Sequence, residues 1–173
     1  MLPFGASGEH AGFPGTLSVG TEALRLAVVE LVRHAAADWG SVLVVNGHGG
    51  NAGALRQAAD LCRHEGRCLD VVQLGRPGMD AHAGRAETSV MLHLAPERVR
   101  LDLAAAGDTR PLRDLLPLLR AEGVRAVSPN GVLGDPAGAS AAEGERLVGE
   151  QVAAAVEAYD ATLSAVRAAS AGG

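Results

Sequence analysis

The sequence contains few aromatic residues: two Phe, one Trp and one Tyr among 173 residues. Hydrophobic residues nevertheless make up 47% of the chain, so its buried core must be built from Leu, Val and Ala. A chain of this length is long enough to form one hydrophobic core. Since no internal repeat or change of composition marks a boundary, we expect a single domain over residues 1–173.

Positive charge is also scarce. The chain has 15 Lys and Arg against 20 Asp and Glu, and no basic run, which argues against a nucleic-acid partner. The first residues form no signal peptide and no apolar run has transmembrane length, so we expect no membrane association. Cys62 and Cys68 lie too far apart for a CxxC site. We expect two buried thiols in a cytoplasmic protein.

Helical and strand patterns alternate along the chain. Short β-branched runs bounded by glycine predict buried strands, and apolar residues at helical spacing predict the helices between them. This alternation favours an α/β fold with a largely parallel sheet flanked by helices. The predicted helices are Thr21–Ala37 with Thr21 as N-cap, Ala52–His64, Arg85–Leu94, Arg110–Arg120 with a break near Pro117, and Ser140–Ala168. The predicted strands are Ser41–Val45, Cys68–Leu74 and a short one at Val99–Leu101.

The loop Asn46–Asn51 (NGHGGN) follows directly on a predicted buried strand. Its glycines allow a sharp turn close to a ligand, and the neutral imidazole of His48 suits Zn, Fe or Mn. Asn46 and Asn51 bracket the loop and can hold its backbone, with Asn51 as N-cap of the next helix. Two alternatives stay open: an anion site at the helix N-terminus, or a histidine packed in a tight turn.

A second candidate loop is Asp80–Ser89 (DAHAGRAETS), where His82 precedes a helix whose first turn contains Glu87. The helix dipole favours the charged form of a carboxylate in that position. Because ligands bind at the carboxyl ends of parallel strands, this loop and the first are the main candidates for a site. The alternative is structural: Glu87 is then a solvated acid and Asp80 a helix cap.

Two further loops contain polar side chains. Glu9 and His10 lie in Gly8–Thr16, which either lines a pocket or forms a purely structural turn. Asp135, in Gly134–Pro136, is either a cap before the last helix or a partner that orients a metal ligand.

Taken together, the segments FPGT (Phe13–Thr16), NGHGGN (Asn46–Asn51), DAHAGRAETS (Asp80–Ser89) and GDP (Gly134–Pro136) resemble the creatininase family of amidohydrolases in order and separation. The resemblance covers nearly the whole chain. The segment Gly5–Gly20 resembles the branch of this family that acts in mycofactocin maturation, where the enzyme removes a C-terminal Val-Tyr dipeptide from a precursor peptide.

The resemblance implies a three-layer α/β fold and a divalent metal site (Zn, Fe(II) or Mn), often binuclear, in a homo-oligomer. By motif, His48 and Glu87 are the implied metal ligands, and His82 is the implied acid/base or the group that polarises the carbonyl. The remaining candidates for substrate binding or for support of the ligands are Glu9, His10, Asn46, Asn51, Asp80 and Asp135.

The sequence departs from the family pattern in two places. Creatininase itself has a ligating Glu where this chain has Gly50, which argues against creatinine as substrate. Family members also begin with a strand and a segment E-x-H-G-P-H-x-P that supplies most of the metal ligands, and nothing similar is found here. His48 and Glu87 make only two ligands where a catalytic site usually takes about three. We therefore expect the true start to lie upstream of Met1; a truncated form or a loss of activity are the alternatives.

The sequence thus predicts a metal-dependent amide or peptide hydrolase, with the C-terminal dipeptide of the mycofactocin precursor as the expected leaving group. Three alternatives remain: a family member acting on a small or cyclic amide, a non-catalytic subunit with an incomplete metal site, and a phosphate- or nucleotide-binding domain. The last is disfavoured because the loop Asn46–Asn51 lacks both the GK[ST] ending and the G-x-G-x-x-G spacing.

Overall fold

A computed structural model describes residues 3–75 and 78–171 of the chain. Contacts divide the chain into two compact units. The first comprises Met1–Ser7, Leu17–Gly75 and Val152–Gly173, and the second comprises Gly8–Thr16 and Arg76–Gln151. The single domain expected over residues 1–173 stays a prediction, and each unit is described by itself below.

The first unit is built on two parallel strands, β1 (Val42–Asn46) and β2 (Leu69–Gln73), paired in register from Val42 with Leu69 to Asn46 with Gln73. Helix α1 (Gly20–Ala35) precedes β1, and α2 (Ala52–His64) connects the two strands. A connection between parallel strands needs such a crossover helix. The predicted bounds of α2 match the structure at both ends.

Successive side chains of each strand point to opposite faces of the sheet. Both faces are therefore available to pack against helices. Val42, Val44, Leu69 and Val71 belong to the core that contains the buried residues of α1 and α2. The intervening residue Asp70 points to the other face, where its Oδ2 accepts a hydrogen bond of 2.7 Å from Thr162 Oγ1 in the long helix α6 (Ala141–Ala171). The predicted three-layer α/β arrangement with a parallel sheet is therefore confirmed.

The second unit is mainly helical. It contains α3 (Arg85–Leu94), α4 (Leu112–Glu122), the short α5 (Val124–Val127) and the first part of α6. The described part of this unit also contains 3-10 turns at Gly8–His10, Pro96–Arg98 and Leu101–Leu103. Its core consists of Leu115, Val124 and Leu133, with Phe13, Leu119 and Val127 packed around them.

Several local predictions were wrong. Helix α1 begins at Gly20, ahead of Thr21, because the hydroxyl of Ser18 accepts the Gly20 N–H at 3.1 Å and turns the chain earlier. The strand expected at Val99–Leu101 does not form, since the chain turns into the 3-10 segment Leu101–Leu103.

Helix α4 continues through Pro117, where a break was predicted. A proline inside a helix removes one backbone hydrogen bond and crowds the preceding turn, at a cost of about 3 kcal/mol. Leu115 and Leu119, on either side of the proline, both pack in the core of the second unit. Burial of these neighbours offsets the cost and holds the helix together.

The two cysteines differ. Cys62 is buried, and burial raises the pKa of its thiol, as expected for a core residue. Cys68 is exposed just before β2, so the prediction of two buried thiols was wrong for this residue. Within residues 3–75 and 78–171, no helix combines the length and the apolar composition that crossing a bilayer requires.

Replacing Leu115 by Ala should lower the free energy of unfolding by about 2–5 kcal/mol, because the side chain is 1% exposed and its removal leaves a cavity. Leu112→Ala on the same helix is the control, since Leu112 is 46% exposed and should cost about 0.5 kcal/mol or less. Urea unfolding of both variants measures the difference. Equal losses would contradict the assigned core.

Candidate active site

In the first unit, His48 lies just after the carboxyl end of β1. Its Nε2 is 3.2 Å from the carbonyl oxygen of Ala6 and 3.2 Å from Ser7 Oγ. When Nε2–H donates to the carbonyl, the lone pair of the neutral ring is on Nδ1. A backbone carbonyl that orients one ring nitrogen is the usual partner of a metal-binding histidine. The chemistry of His48 therefore fits a metal ligand.

Two asparagine side chains hold the His48 loop. The buried Asn46 donates from Nδ2 to the His48 carbonyl at 2.8 Å and to Gln73 Oε1 at 2.7 Å. Its Oδ1 accepts a hydrogen bond of 3.0 Å from Asn51 Nδ2. Asn51 Oδ1 in turn accepts the N–H of Ala6 at 2.9 Å. Asn46 and Asn51 thus fix the backbone of this loop, as one of the sequence interpretations held.

Asn51 is the N-cap residue of α2, as predicted, but its side chain makes no capping hydrogen bond. Its amide is instead bonded to Asn46 and to the Ala6 N–H, so it is not available to the helix N-terminus. Gly5 completes this packing, since an added Cβ would lie 2.5 Å from Asn51 Oδ1. The partners Ala6 and Ser7 were missed by sequence reasoning, because nothing local indicates that they lie beside His48.

In the second unit, His82 is held on both sides of its backbone. Its N–H donates to the Leu133 carbonyl at 3.2 Å, and its own carbonyl accepts the Leu133 N–H at 2.8 Å. Its side chain is 38% exposed, and Nδ1 is 3.5 Å from Glu87 Oε2. The backbone of His82 is therefore fixed while its ring can still reach a ligand.

Glu87 lies in the first turn of α3 with its side chain 49% exposed. Besides facing His82, its carboxylate accepts a hydrogen bond from the Ala83 N–H. Ala83 has a φ of 53°, a left-handed conformation that is unfavourable for a residue with a Cβ. Such strain is typical of functional loops, and here it accompanies the contact that orients Glu87.

Asp80 caps α3. Its carboxylate accepts the N–H groups of Arg85 and Ala86, which are the first two residues of that helix. Gly84 and Gly134 both approach the same side chain so closely that a Cβ on either would overlap it. Asp80 is thus a helix cap, as the structural alternative held. Its side chain also explains why residue 134 is a glycine.

Glu9 and His10 lie beside His82. The ring centroids of His10 and His82 are 4.7 Å apart, tilted by 54°. Glu9 Oε1 is 3.8 Å from His10 Nε2. The structure therefore brings together four residues that the sequence analysis singled out in two separate loops, Gly8–Thr16 and Asp80–Ser89.

Asp135 has a local role. The exposed residue accepts the Ala137 N–H at 2.9 Å through Oδ1 and so closes the turn before α6. This is the cap-like function that the sequence allowed for.

Glu143 and Ser89 are polar residues whose roles the sequence did not indicate. Glu143 Oε2 accepts a hydrogen bond of 2.7 Å from Arg85 Nε and one of 3.1 Å from the buried hydroxyl of Ser89. The bond from Arg85 is the main reason that the pKa of Glu143 lies below its usual value. These contacts join α3 to α6 within the second unit.

The donor atoms of the described residues do not form a complete metal site. Among the residues that the structure describes, no group of three or more His, Cys, Asp and Glu is arranged to hold a metal ion. His48 and Glu87 also belong to different units, so each is considered on the contacts of its own unit. The assignments of both as metal ligands, and of His82 as a catalytic residue, stay predictions.

The fold and the ordered motifs define a class of protein. Residues 1–159 match the family described as creatininase, creatinine amidohydrolase, and this chain belongs to that family. Two solved structures have a similar fold. A creatinine amidohydrolase (creatininase) superposes with a TM-score of 0.66 at 24% identity, covering 85% of this chain and 66% of that one. A Bacteroides fragilis protein assigned as a creatinine amidohydrolase has the same TM-score at 25% identity, covering 87% and 66%.

Curated relatives share much more of the sequence. The mycofactocin precursor peptide peptidase of Mycolicibacterium smegmatis is 52% identical over 151 residues, 87% of this chain and 61% of the relative. The protein of the same name from Mycobacterium ulcerans is 54% identical over 152 residues, 87% of this chain and 60% of the relative. The chain spans about three fifths of the length of these relatives.

Gly134→Ala should lower the free energy of unfolding by about 1–3 kcal/mol, because a Cβ would lie 2.6 Å from the Asp80 Cβ and the φ of 154° suits only glycine. Gly149→Ala is the control: this exposed glycine within α6 meets nothing within 4 Å. That change should raise stability by about 0.5–1 kcal/mol. Thermal melts of both variants test the packing around Asp80, and an unchanged Gly134→Ala melt would refute it.

Proposed function

We propose that this chain belongs to a metal-dependent hydrolase that cleaves a peptide bond in the mycofactocin precursor peptide. The observation that carries the proposal is the identity of 52% and 54%, over 87% of this chain, to relatives named mycofactocin precursor peptide peptidase. Such similarity over most of the chain is much more specific than membership of the amidohydrolase family. The expected products are the C-terminal dipeptide Val-Tyr and the shortened peptide.

His82 is the proposed catalytic residue. Its backbone is fixed by the bridge to Leu133, and Glu87 faces Nδ1 at 3.5 Å and so orients the ring. A positioned imidazole can donate a proton to the leaving amine or polarise the scissile carbonyl, a contribution of about 10²–10⁴-fold. The side chain of His82 is 38% exposed, which leaves it accessible to a peptide.

His48 and Glu87 are the proposed metal ligands, each on the grounds found in its own unit. His48 has the backbone carbonyl partner typical of a ligating imidazole, and Glu87 is an exposed carboxylate at a helix N-terminus. A divalent ion such as Zn, Fe(II) or Mn supplies an activated water and polarises the carbonyl when bound. Because the described donors do not complete a metal site, the reaction is not followed through the ion.

The cleavage is tested with a synthetic precursor peptide ending in Val-Tyr. The chain, loaded separately with Zn, Mn or Fe(II), should release the dipeptide, which mass spectrometry detects directly. The same peptide with a C-terminal amide and a creatinine sample serve as comparison substrates. Hydrolysis of creatinine together with an intact peptide would overturn the proposed substrate.

Two variants distinguish the proposed role of His48 as a metal ligand from that of His82 as a catalytic residue. His48→Ala should lower the metal content measured by elemental analysis, because it removes a ligand. His82→Ala should keep the metal content and lower kcat by about 10²–10⁴-fold. His64→Gln, in the last turn of α2, is the matched control and should change neither quantity. Full metal content in His48→Ala, or full turnover in His82→Ala, contradicts the respective assignment.

A further inference from the structure

We propose that His10 is a second catalytic residue, whose imidazole donates a hydrogen bond to the carbonyl oxygen of the scissile amide next to His82. The inference rests on the proposed function and extends it, since that proposal assigns catalysis to His82 and gives His10 no role. It assigns a contact with the reacting atoms to a loop, Gly8–Thr16, that lies far from His82 in sequence.

The first support is the distance between the two rings. Their centroids are 4.7 Å apart with a tilt of 54°, so the rings are neighbours that are not stacked face to face. A hydrogen bond to a ring nitrogen has a length of about 2.8–3.0 Å. At this separation of the rings, a carbonyl oxygen placed between them can be within hydrogen-bond distance of both.

The second support is that the backbone at His10 is held by hydrogen bonds and packing. The His10 carbonyl accepts the Thr16 hydroxyl at 3.1 Å and the Phe13 N–H at 3.3 Å. The backbone of the preceding residue is packed against Gly123, where a Cβ would lie 2.8 Å from the Glu9 carbonyl oxygen. A donor whose backbone is already fixed needs less reorganisation when negative charge develops on the substrate oxygen.

The third support is the distribution of charge. Glu9 Oε1 lies 3.8 Å from His10 Nε2, and Glu87 Oε2 lies 3.5 Å from His82 Nδ1. Each imidazole thus has its own carboxylate. Two N–H donors can face one oxygen at a lower electrostatic cost when a negative group stands beside each of them.

The alternative is that His10 has a purely structural role, in which its ring only packs against its neighbours. Its ring also contacts Phe13, with centroids 6.4 Å apart, and such ring contacts stabilise a loop through their apolar area. The two roles make opposite predictions for substitution. Packing is best preserved by Phe, whereas hydrogen-bond donation is best preserved by Asn.

The kinetic test compares His10→Phe with His10→Asn on the precursor peptide. A catalytic donor predicts that His10→Phe lowers kcat by about 10²–10³-fold with little change in KM. His10→Asn should recover part of that loss because its amide N–H can still donate. If His10→Phe matches the wild type, or if it is more active than His10→Asn at equal thermal stability, the inference is wrong.

A binding measurement keeps the inference testable without turnover. A phosphinic analogue of the Val-Tyr-ending peptide, which carries negative oxygens in place of the scissile carbonyl, is titrated into chain labelled with ¹⁵N-histidine. The imidazole resonances of both His10 and His82 should shift, while those of the control His64 stay in place. A shift of His82 alone, or no shift of either ring, overturns the role of His10.

The two experiments also separate this inference from the proposed function. If the wild-type chain leaves the precursor peptide intact but both rings respond to the analogue, the proposed reaction fails and the paired contact stands. If the peptide is cleaved and His10 neither responds nor affects kcat, the reaction stands and the second catalytic residue is rejected.

Discussion

The carboxylate of Asp80 is the constraint on which the geometry of the second unit depends. It accepts the first two N–H groups of α3 and is covered by Gly84 and Gly134. A charged acceptor at a helix N-terminus satisfies donors that have no partner within the helix and interacts favourably with its dipole. By fixing the start of α3 against the segment that follows Leu133, it sets where His82 and Glu87 stand relative to each other.

In the first unit, neutral amide side chains hold the loop after β1 in the way that the Asp80 carboxylate holds the start of α3. Asn46 is 4% exposed at the end of β1, and a buried amide is costly unless its hydrogen bonds are made. It donates to the His48 carbonyl and to Gln73, and accepts from Asn51. Because these bonds are satisfied, the glycine-rich loop keeps one conformation although its residues have little conformational preference of their own.

Family membership and substrate rest on different observations. The creatininase assignment follows from a match over residues 1–159, and two solved structures share the fold. A shared fold does not determine the substrate, which depends on side chains around the site. The loop that contains Glu9 and His10 is one such part of the molecule, since the His10 ring lies beside His82.

The sequence by itself determined the elements with strong local signals. The bounds of α2 and α3 and the two parallel strands followed from side-chain periodicity and flanking glycines, and the ordered motifs indicated the family. Only the tertiary structure decided that Pro117 stays within α4, that Asn51 bonds to Ala6, and that His10 meets His82. Periodicity and turn chemistry act over a few residues, whereas these contacts join distant segments and depend on how the core packs.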